Sequence, residues 1–407
     1  MTEPTVTRLR FSDELLAELP CPRRRLRIVR GLGSGLTRAP DGTLWAVGDR
    51  GPNLKVELAV ETYGLTEVAL HGATKGAKVM PAPEIGPAIA ELRVTGDTVE
   101  VVRAVPLTGA EGRPLTGLPT PGSANSRMEP AIRPDGTPCA PDPGGVDSEG
   151  IAVGADGTIW IGDEYGPSLL QVEPSGEVRM RWVPGGTEHT VAGAPYPCAA
   201  VLPELAARRH VNRGFEAIAL SDDGRHLHLA FQSPLAHPDV AAHEAARHVR
   251  LWTLDTATGA VLAQYLVPLD EPASFRRDLA EGPLARSDIK VSELTCVGPD
   301  RLILLERGSA TTRLYLVELD PACALPPEQL DSATRPSIEQ LSASGQLKLP
   351  VLHKRLLFNT DDHPEVSRDL EGMALLDERT LLLVNDNDFG IEDAETAFWQ
   401  IRFAEPI

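Results

Sequence analysis

Four glutamates open similar apolar stretches far apart in the chain: Glu149 in SEGIAV, Glu216 in FEAIAL, Glu293 in SELTCV and Glu371 in LEGMAL. Some 13 to 16 positions later each stretch closes on further polar groups: Asp163-Glu164, Gln232-Ser233, Glu306-Arg307 and the run Asn385-Asp386-Asn387-Asp388. Carboxylates gathered in one place repel one another unless a cation sits among them. The donors on offer are carboxylate and amide oxygens, not thiolates or imidazoles, which suits a hard cation with about six to eight oxygen ligands, Ca²⁺ above all. The expected metal ligands are Glu149, Asp163, Glu216, Glu293, Glu306, Glu371, Asn385 and Asp386.

Basic residues accompany these acids. Arg50 follows Asp49 as Arg307 follows Glu306, and Arg213 and Lys290 stand just before Glu216 and Glu293. Each alone is most simply half of an ion pair, but guanidinium groups beside a metal are also how phosphate oxygens are held, because arginine binds them in bidentate fashion. A metal-assisted hydrolysis follows from this set: the ion polarises the scissile group and acidifies a bound water, a rim carboxylate takes the proton, and Arg50 and Arg307 hold the anion. Glu164 and Asp388 are both candidates for the base. Arg213, Lys290, Tyr165 and Gln232 are expected to bind substrate.

These residues meet only if the elements between them repeat. The stretch DSEGIAVGADGTIWIGDEYGPSLLQVEPSGEV reads as four short antiparallel strands, with turns at Asp156-Gly157 and Ser175-Gly176 where glycine supplies positive φ. The pattern recurs in SGLTRAPDGTLWAVGDRGPN, FEAIALSDDGRHLHLAFQSPL, SELTCVGPDRLILLERGS and LEGMALLDERTLLLVNDNDFG. Five such sheets around one axis make an all-β fold, a β-propeller of four-stranded antiparallel blades whose inner strands start at one mouth of a central channel. A sixth blade has room in 57–105 or 321–350. The last repeat lacks a fourth strand, and the N-terminal segment TVTRLRF is expected to supply it and close the ring.

The reading is one domain over 1–407, with insertions near 57–84, 107–145, 184–212, 233–248 and 321–350. The Pro/Gly-rich insertion at 107–145 runs straight into Glu149 and should lie over the mouth. In the fourth insertion HEAARH places its histidines five apart, which does not share a helix face as the zincin motif does, and the segment reads as a surface helix. GLGSGL lacks the ending of a phosphate loop, and no GxSxG serine elbow is present.

With 39 basic and 58 acidic residues the net charge is −19, which argues against nucleic acid and anionic membranes as partners and leaves a small-molecule substrate, an anionic one included. No apolar leader or membrane-length run is visible, so the chain as written reads as soluble and cytoplasmic, or secreted if a leader was removed. A monomer is expected. Cys21, Cys139, Cys198, Cys296 and Cys323 form neither a zinc pattern nor a disulfide framework, although Cys139 and Cys198 sit in Pro-rich loops that could bring them together in an oxidising compartment.

The same stretches, with NRGFEAIAL, QSPL and the closing NDNDFG, resemble the phytase-like family, also labelled esterase-like activity of phytase, over roughly residues 31–403. The resemblance implies a β-propeller, a divalent-metal requirement and hydrolysis of phosphate or other esters. EGIAVGADGTIWIGDE is similar, more distantly, to the channel strands of gluconolactonase-like calcium propellers, where the first glutamate is a metal ligand; this implies that role for Glu149 and, by repeat, for Glu216, Glu293 and Glu371. Ser34-Gly35 in the first repeat and Gln232-Ser233 in the third depart from the pattern, so a lopsided ring with coordination positions left for water or substrate is expected. Two other functions fit the same fold: a non-catalytic ligand- or protein-binding propeller with structural calcium, and a propeller turned to isomerase or cyclase chemistry.

Overall fold

At Asp156-Gly157 the chain reverses within two residues, because Gly157 takes φ +85°, where a side chain is disfavoured. The strands on either side, Ser148–Val153 and Ile159–Asp163, pair antiparallel from Val153↔Ile159 to Ser148↔Asp163, which returns Asp163 to the edge from which Glu149 started. This unit is the second of five. The structure is a computed structural model that describes residues 3–70, 76–123 and 127–407.

Blade 1 consists of Gly35–Arg38, Leu44–Val47, Ala88–Thr95 and Thr98–Pro106. Blade 2 continues from its first two strands to Ser168–Val172 and Val178–Pro184, and takes a fifth, parallel strand at its outer edge from Cys198–Leu202. Blade 3 is Phe215–Leu220, His226–Phe231, His248–Asp255 and Val261–Pro268. Blade 4 is Lys290–Cys296, Arg301–Arg307, Thr312–Glu318 and Lys354–Asn359. Blade 5 has Leu370–Asp377, Thr380–Asn385 and Phe398–Arg402, and its outermost strand is the N-terminal Thr5–Leu9, paired from Thr5↔Arg402 to Leu9↔Phe398. The ring is therefore a closed five-bladed propeller.

Five apolar layers hold it, one between each pair of neighbouring blades. Trp45, Ile89, Ile151 and Ile161 fill the space between blades 1 and 2, and Trp160, Phe215, Phe231 and Trp252 that between blades 2 and 3. Similar layers follow around Val249, Val291 and Leu304, around Ile303, Met373 and Leu383, and around Leu36, Ala374 and Val384, the last of which seals blade 5 onto blade 1. Strands buried on both faces carry near-continuous runs of β-branched and aliphatic residues, as in ILLE or LLLV, instead of a strict alternation.

The insertions build no further blade. Residues 88–106 are the outer strands of blade 1, and 321–350 fold as helical turns and the helix Ile338–Ala343, pinned to blade 3 by a buried bidentate pair between Arg250 and Glu339 at 2.7 and 3.1 Å. The room for a sixth blade is filled in this way. A hairpin of Leu15–Leu19 with Leu26–Val29 and a small sheet of Leu54–Lys55, Lys78–Val79 and Ala131–Ile132 share one apolar cluster with Phe389 and Ile391, forming a cap beside the mouth. The helix at Val240–Ala245, expected on the surface, buries His243, which stacks on His210 with ring centres 4.4 Å apart. All five cysteines are free, Cys139 and Cys198 included. No helix among the described residues is long and apolar enough to cross a membrane.

Candidate metal centre

The inner strands of blades 2, 3 and 5 each carry a β-bulge at their glutamate: the ladder slips at Glu149, Glu216 and Glu371. A bulged residue is released from the pairing and can aim its side chain away from the sheet. Oxygens of these three glutamates, from three different blades, lie within 4.8 Å of one another, and Glu149 is also part of a second such group with Asp49 and Asp147. All five carboxylates are buried.

Glu293 does not join them. In blade 4 the ladder slips one residue earlier, at Ser292, so Glu293 takes the register position that Gly150, Ala217 and Gly372 hold in the other blades. A shift of one residue sends a strand side chain to the other face. The Glu293 carboxylate crosses to blade 1 and accepts the main-chain N–H of Leu36 (3.0 Å) and its own strand's Leu294 (3.1 Å). Ser292 stands where a glutamate would, as Ser34 does in blade 1, and its hydroxyl accepts Nε of Arg307 at 2.8 Å.

Three other expected ligands are engaged in holding the frame. Asp163 accepts the N–H of Asp147 and Tyr165, the hydroxyl of Ser168 and the guanidinium of Arg181. Glu306 points away from Arg307, its strand neighbour, into a buried group where Lys354 lies 2.5 Å away and the N–H of Asp270 2.9 Å. Desolvation outweighs the pull of Lys354 and pushes Glu306 up to about 7. Asn385 accepts the N–H of Ala397 and donates to the carbonyls of Asp386 and Glu395. Asp386 stays near the mouth, half-buried, and desolvation followed by the charges of Asp388 and Asp49 pushes its carboxyl well above the usual range. Asp388 lies exposed at the edge.

The two arginines are bound into the same rim. Arg50 Nη2 lies 2.7 Å from Asp147 Oδ2 and 3.7 Å from Glu164, Nη1 2.9 Å from Glu129, and Nε 3.1 Å from Asp49. It also donates to Asn212 at 2.6 Å and stacks on the Tyr165 ring, whose hydroxyl donates to the carbonyl of Gly117. The segment 107–145 thus lies over this side of the mouth through Gly117 and Glu129; residues 124–126 of it fall outside the described residues. Arg307 is in close contact with Glu371, 3.8 Å from Glu216 and 3.4 Å from Asp369.

Lys290 and Arg213 remain less engaged. Burial lowers Lys290 to about 7, helped by Arg307 and Arg213 and opposed by Glu216 and Glu164. Nε of Arg213 is buried and finds no acceptor among the described residues. Glu164 is pushed up to about 7 by desolvation and then by Glu216, against the pull of Arg50, Arg213 and Lys290. Gln232 is buried, and its amide oxygen meets no donor among the described residues.

Asp147, Glu129, Asn212 and Asp369 are site residues that the sequence reading passed over. For two of them a signal was present: D-x-E-G occurs at 147–150 and again at 369–372, and each aspartate pairs with an arginine at or just past the end of the second strand of the preceding blade, Arg50 with Asp147 and Arg307 with Asp369.

The residues present fit a hard cation. The donor set is all oxygen, and one buried oxygen each of Glu216, Glu164 and Asp147 meets no hydrogen-bond donor among the described residues. Desolvation, and then the charges of Asp49, Asp147, Glu164 and Glu216, push Glu149 far above the usual carboxylate range, which is the electrostatic cost a divalent ion would remove.

The phytase-like family model, described as esterase-like activity of phytase, matches residues 27–389. The chain belongs to the phytase-like family. An uncharacterized secreted protein of Arthroderma benhamiae is 30% identical to this phytase-like chain over 224 residues, 48% of this chain and 40% of that protein, so the match spans less than half of that relative's length. Among solved structures, the PQQ-bound aldose sugar dehydrogenase of Streptomyces coelicolor is similar at 13% identity and TM-score 0.38, covering 99% of each chain. Virginiamycin B lyase of Staphylococcus aureus is similar at 11% identity and TM-score 0.32, covering 96% of this chain and all of that one.

Proposed function

We propose that this phytase-like propeller is a Ca²⁺-dependent hydrolase of a small phosphate ester, or of a carboxylic ester or lactone, working at the mouth where blades 2, 3 and 5 bring their glutamates together. The observation that carries the reading is the convergence of Glu149, Glu216 and Glu371 within 4.8 Å, each on a bulge. When bound, the ion supplies polarisation of the scissile group and a more acidic water. Glu164, buried at the rim beside Glu216, takes the proton from the attacking water. Lys290 and Arg213 seat the anionic part of the substrate, while Arg50 and Arg307, each already engaged by several carboxylates, position the rim. Secretion, as described for the relative, suits calcium sites of modest affinity.

The test is chelation followed by Ca²⁺ restoration, with generic aryl phosphates, aryl esters and lactones as substrates, alongside Glu371→Gln and Glu164→Gln. Hydrolysis should vanish on chelation, return with Ca²⁺ and fall by about 10²- to 10⁴-fold in Glu164→Gln, with folding kept. Hydrolysis indifferent to chelation sinks the metal mechanism. Loss of calcium and thermal stability together in Glu371→Gln, with no turnover of any substrate by the wild type, points instead to a binding propeller with a structural ion.

A further inference from the structure

Buried carboxylates in this molecule are treated in two ways. Asp163 is fully satisfied, with two main-chain N–H groups, a hydroxyl and a guanidinium on its oxygens. Asp147, only sixteen residues earlier and equally buried, is not. Its Oδ1 meets no hydrogen-bond donor among the described residues, and its Oδ2 has only the ion-pair contact with Arg50 at 2.7 Å. That one guanidinium also serves Asp49, Glu129 and Glu164, and although Arg209, Arg213 and Lys290 act on Glu164 from further off, Arg50 is the cation in ion-pair contact with Asp49 and Asp147. Glu164, itself buried, comes within 3.7 Å of the same Nη2 that Asp147 contacts, and its Oε1 is likewise without a donor. A buried carboxylate oxygen without a donor keeps its desolvation cost, and Asp147, which carries one, belongs to a triad of carboxylates with oxygens within 4.8 Å of one another.

We propose that the mouth holds a second divalent cation at Asp49, Asp147 and Glu149, joined through the Glu149 carboxylate to the ion at Glu149, Glu216 and Glu371. The all-oxygen donor set suits Ca²⁺ or another hard dication. Arg50 holds Asp49 through Oδ1 and Asp147 through Oδ2, which leaves Asp147 Oδ1 without a donor and Asp49 Oδ2 with the amide of Asn53 at 3.2 Å. The inference rests on the metal reading of the site and adds a stoichiometry to it.

The experiment counts ions. The full chain is stripped with a chelator, titrated with CaCl₂ by calorimetry at about 0.15 M salt to screen exposed carboxylates, and assayed for metal after gel filtration. Two tightly held ions are expected per chain, falling to one in Asp147→Asn and to one in Glu371→Gln, with both lost or weakened in Glu149→Gln. Should Asp147→Asn fail to fold by circular dichroism, Asp49→Asn reads the same site. A single ion in the wild type, or an unchanged count in Asp147→Asn, overturns the second site and leaves the first standing. No ion in the wild type overturns both.

Discussion

Glu293 and Glu371 look equivalent in the sequence and are not equivalent in space, and replacing each separates the two roles. In Glu293→Ala the N–H groups of Leu36 and Leu294, which the carboxylate accepts at 3.0 and 3.1 Å, are left unpaired on the channel axis. Each unpaired buried N–H costs about 1–3 kcal/mol, so the variant should lose about 2–6 kcal/mol. At about 2.1 cal/mol/K per residue, the unfolding entropy of a chain of 407 residues is near 0.9 kcal/mol/K, which converts that loss to a fall in Tm of about 2–7 °C. Burial pushes the Glu293 carboxyl well above its usual range, against the main-chain N–H groups it accepts; Glu293→Gln keeps one acceptor and should lose about half as much. Calorimetric melting measures both, and calcium titration of the same samples should give the wild-type stoichiometry. Glu371→Gln should do the opposite, losing calcium while the melting of the chelated protein changes little. If Glu293→Ala melts like the wild type and loses an ion, the assignment of Glu293 to the frame is wrong.

Two further outcomes follow from the ring and from its buried histidines. Deleting residues 1–12 removes the strand paired with Phe398–Arg402, together with Leu9 and the Phe11 ring that lies 5.1 Å from Phe398; five ladder positions at about 1 kcal/mol and two apolar side chains at about 2 kcal/mol each give a Tm lower by about 10 °C, and an unchanged melting curve refutes the closure. Burial holds His228 down to about 4, so its neutral form gives stability that is complete above about pH 6.5 and is lost as pH falls toward 4. At pH 5 that loss is about 2 kcal/mol, and the drop in Tm from pH 7.5 to 5 should be about 2 °C smaller in His228→Gln than in the wild type, a difference in which the buried carboxylates that titrate the other way cancel. Equal drops in the two proteins reject the buried neutral imidazole.

The blades were legible because each is written locally. A turn residue with positive φ, Gly42, Gly157, Gly224 or Asp300, stands between two apolar runs in blades 1 to 4, and the N-terminal strand was implied by the strand missing from blade 5. The absence of a sixth blade was not legible, since the Arg250–Glu339 pair that fastens 321–350 to blade 3 joins residues 89 apart. The convergence of Glu149, Glu216 and Glu371 could be read from their spacing, but the position of a bulge could not: SELTCV and SEGIAV match letter for letter at the glutamate, yet the ladder slips at Ser292 in one and at Glu149 in the other. Glu306 is a different kind of miss. Neighbours on a strand face opposite ways, so Glu306 and Arg307 could not both enter the mouth, and the pairing of Lys354 with Glu306 shows which one turned away.

The residue after the bulge decides how closely the blades approach and therefore whether their glutamates can share an ion. A Cβ on Gly150 would sit 2.1 Å from the carbonyl oxygen of Glu216, and one on Gly35 2.6 Å from that of Glu149, so these inner strands touch main chain to main chain. That contact carries the adjacent bulged carboxylates to within reach of each other. Where Glu293 replaces the small residue, its side chain fills the axis and takes hold of blade 1, and the bulge position beside it is only a serine that accepts Arg307. Blade 4 thus gives the mouth a guanidinium and a lysine where its neighbours give carboxylates, and the asymmetry places the positive side of the site, Arg307 and Lys290, opposite the acidic side at Asp49 and Asp147. Putting glycine at 293 and glutamate at 292 would restore the symmetric pattern, and on this argument it would add a carboxylate to the mouth and strip the axis of its clamp, so that affinity for calcium rises while Tm falls. A double variant that loses both is the outcome that breaks the link between register and chemistry.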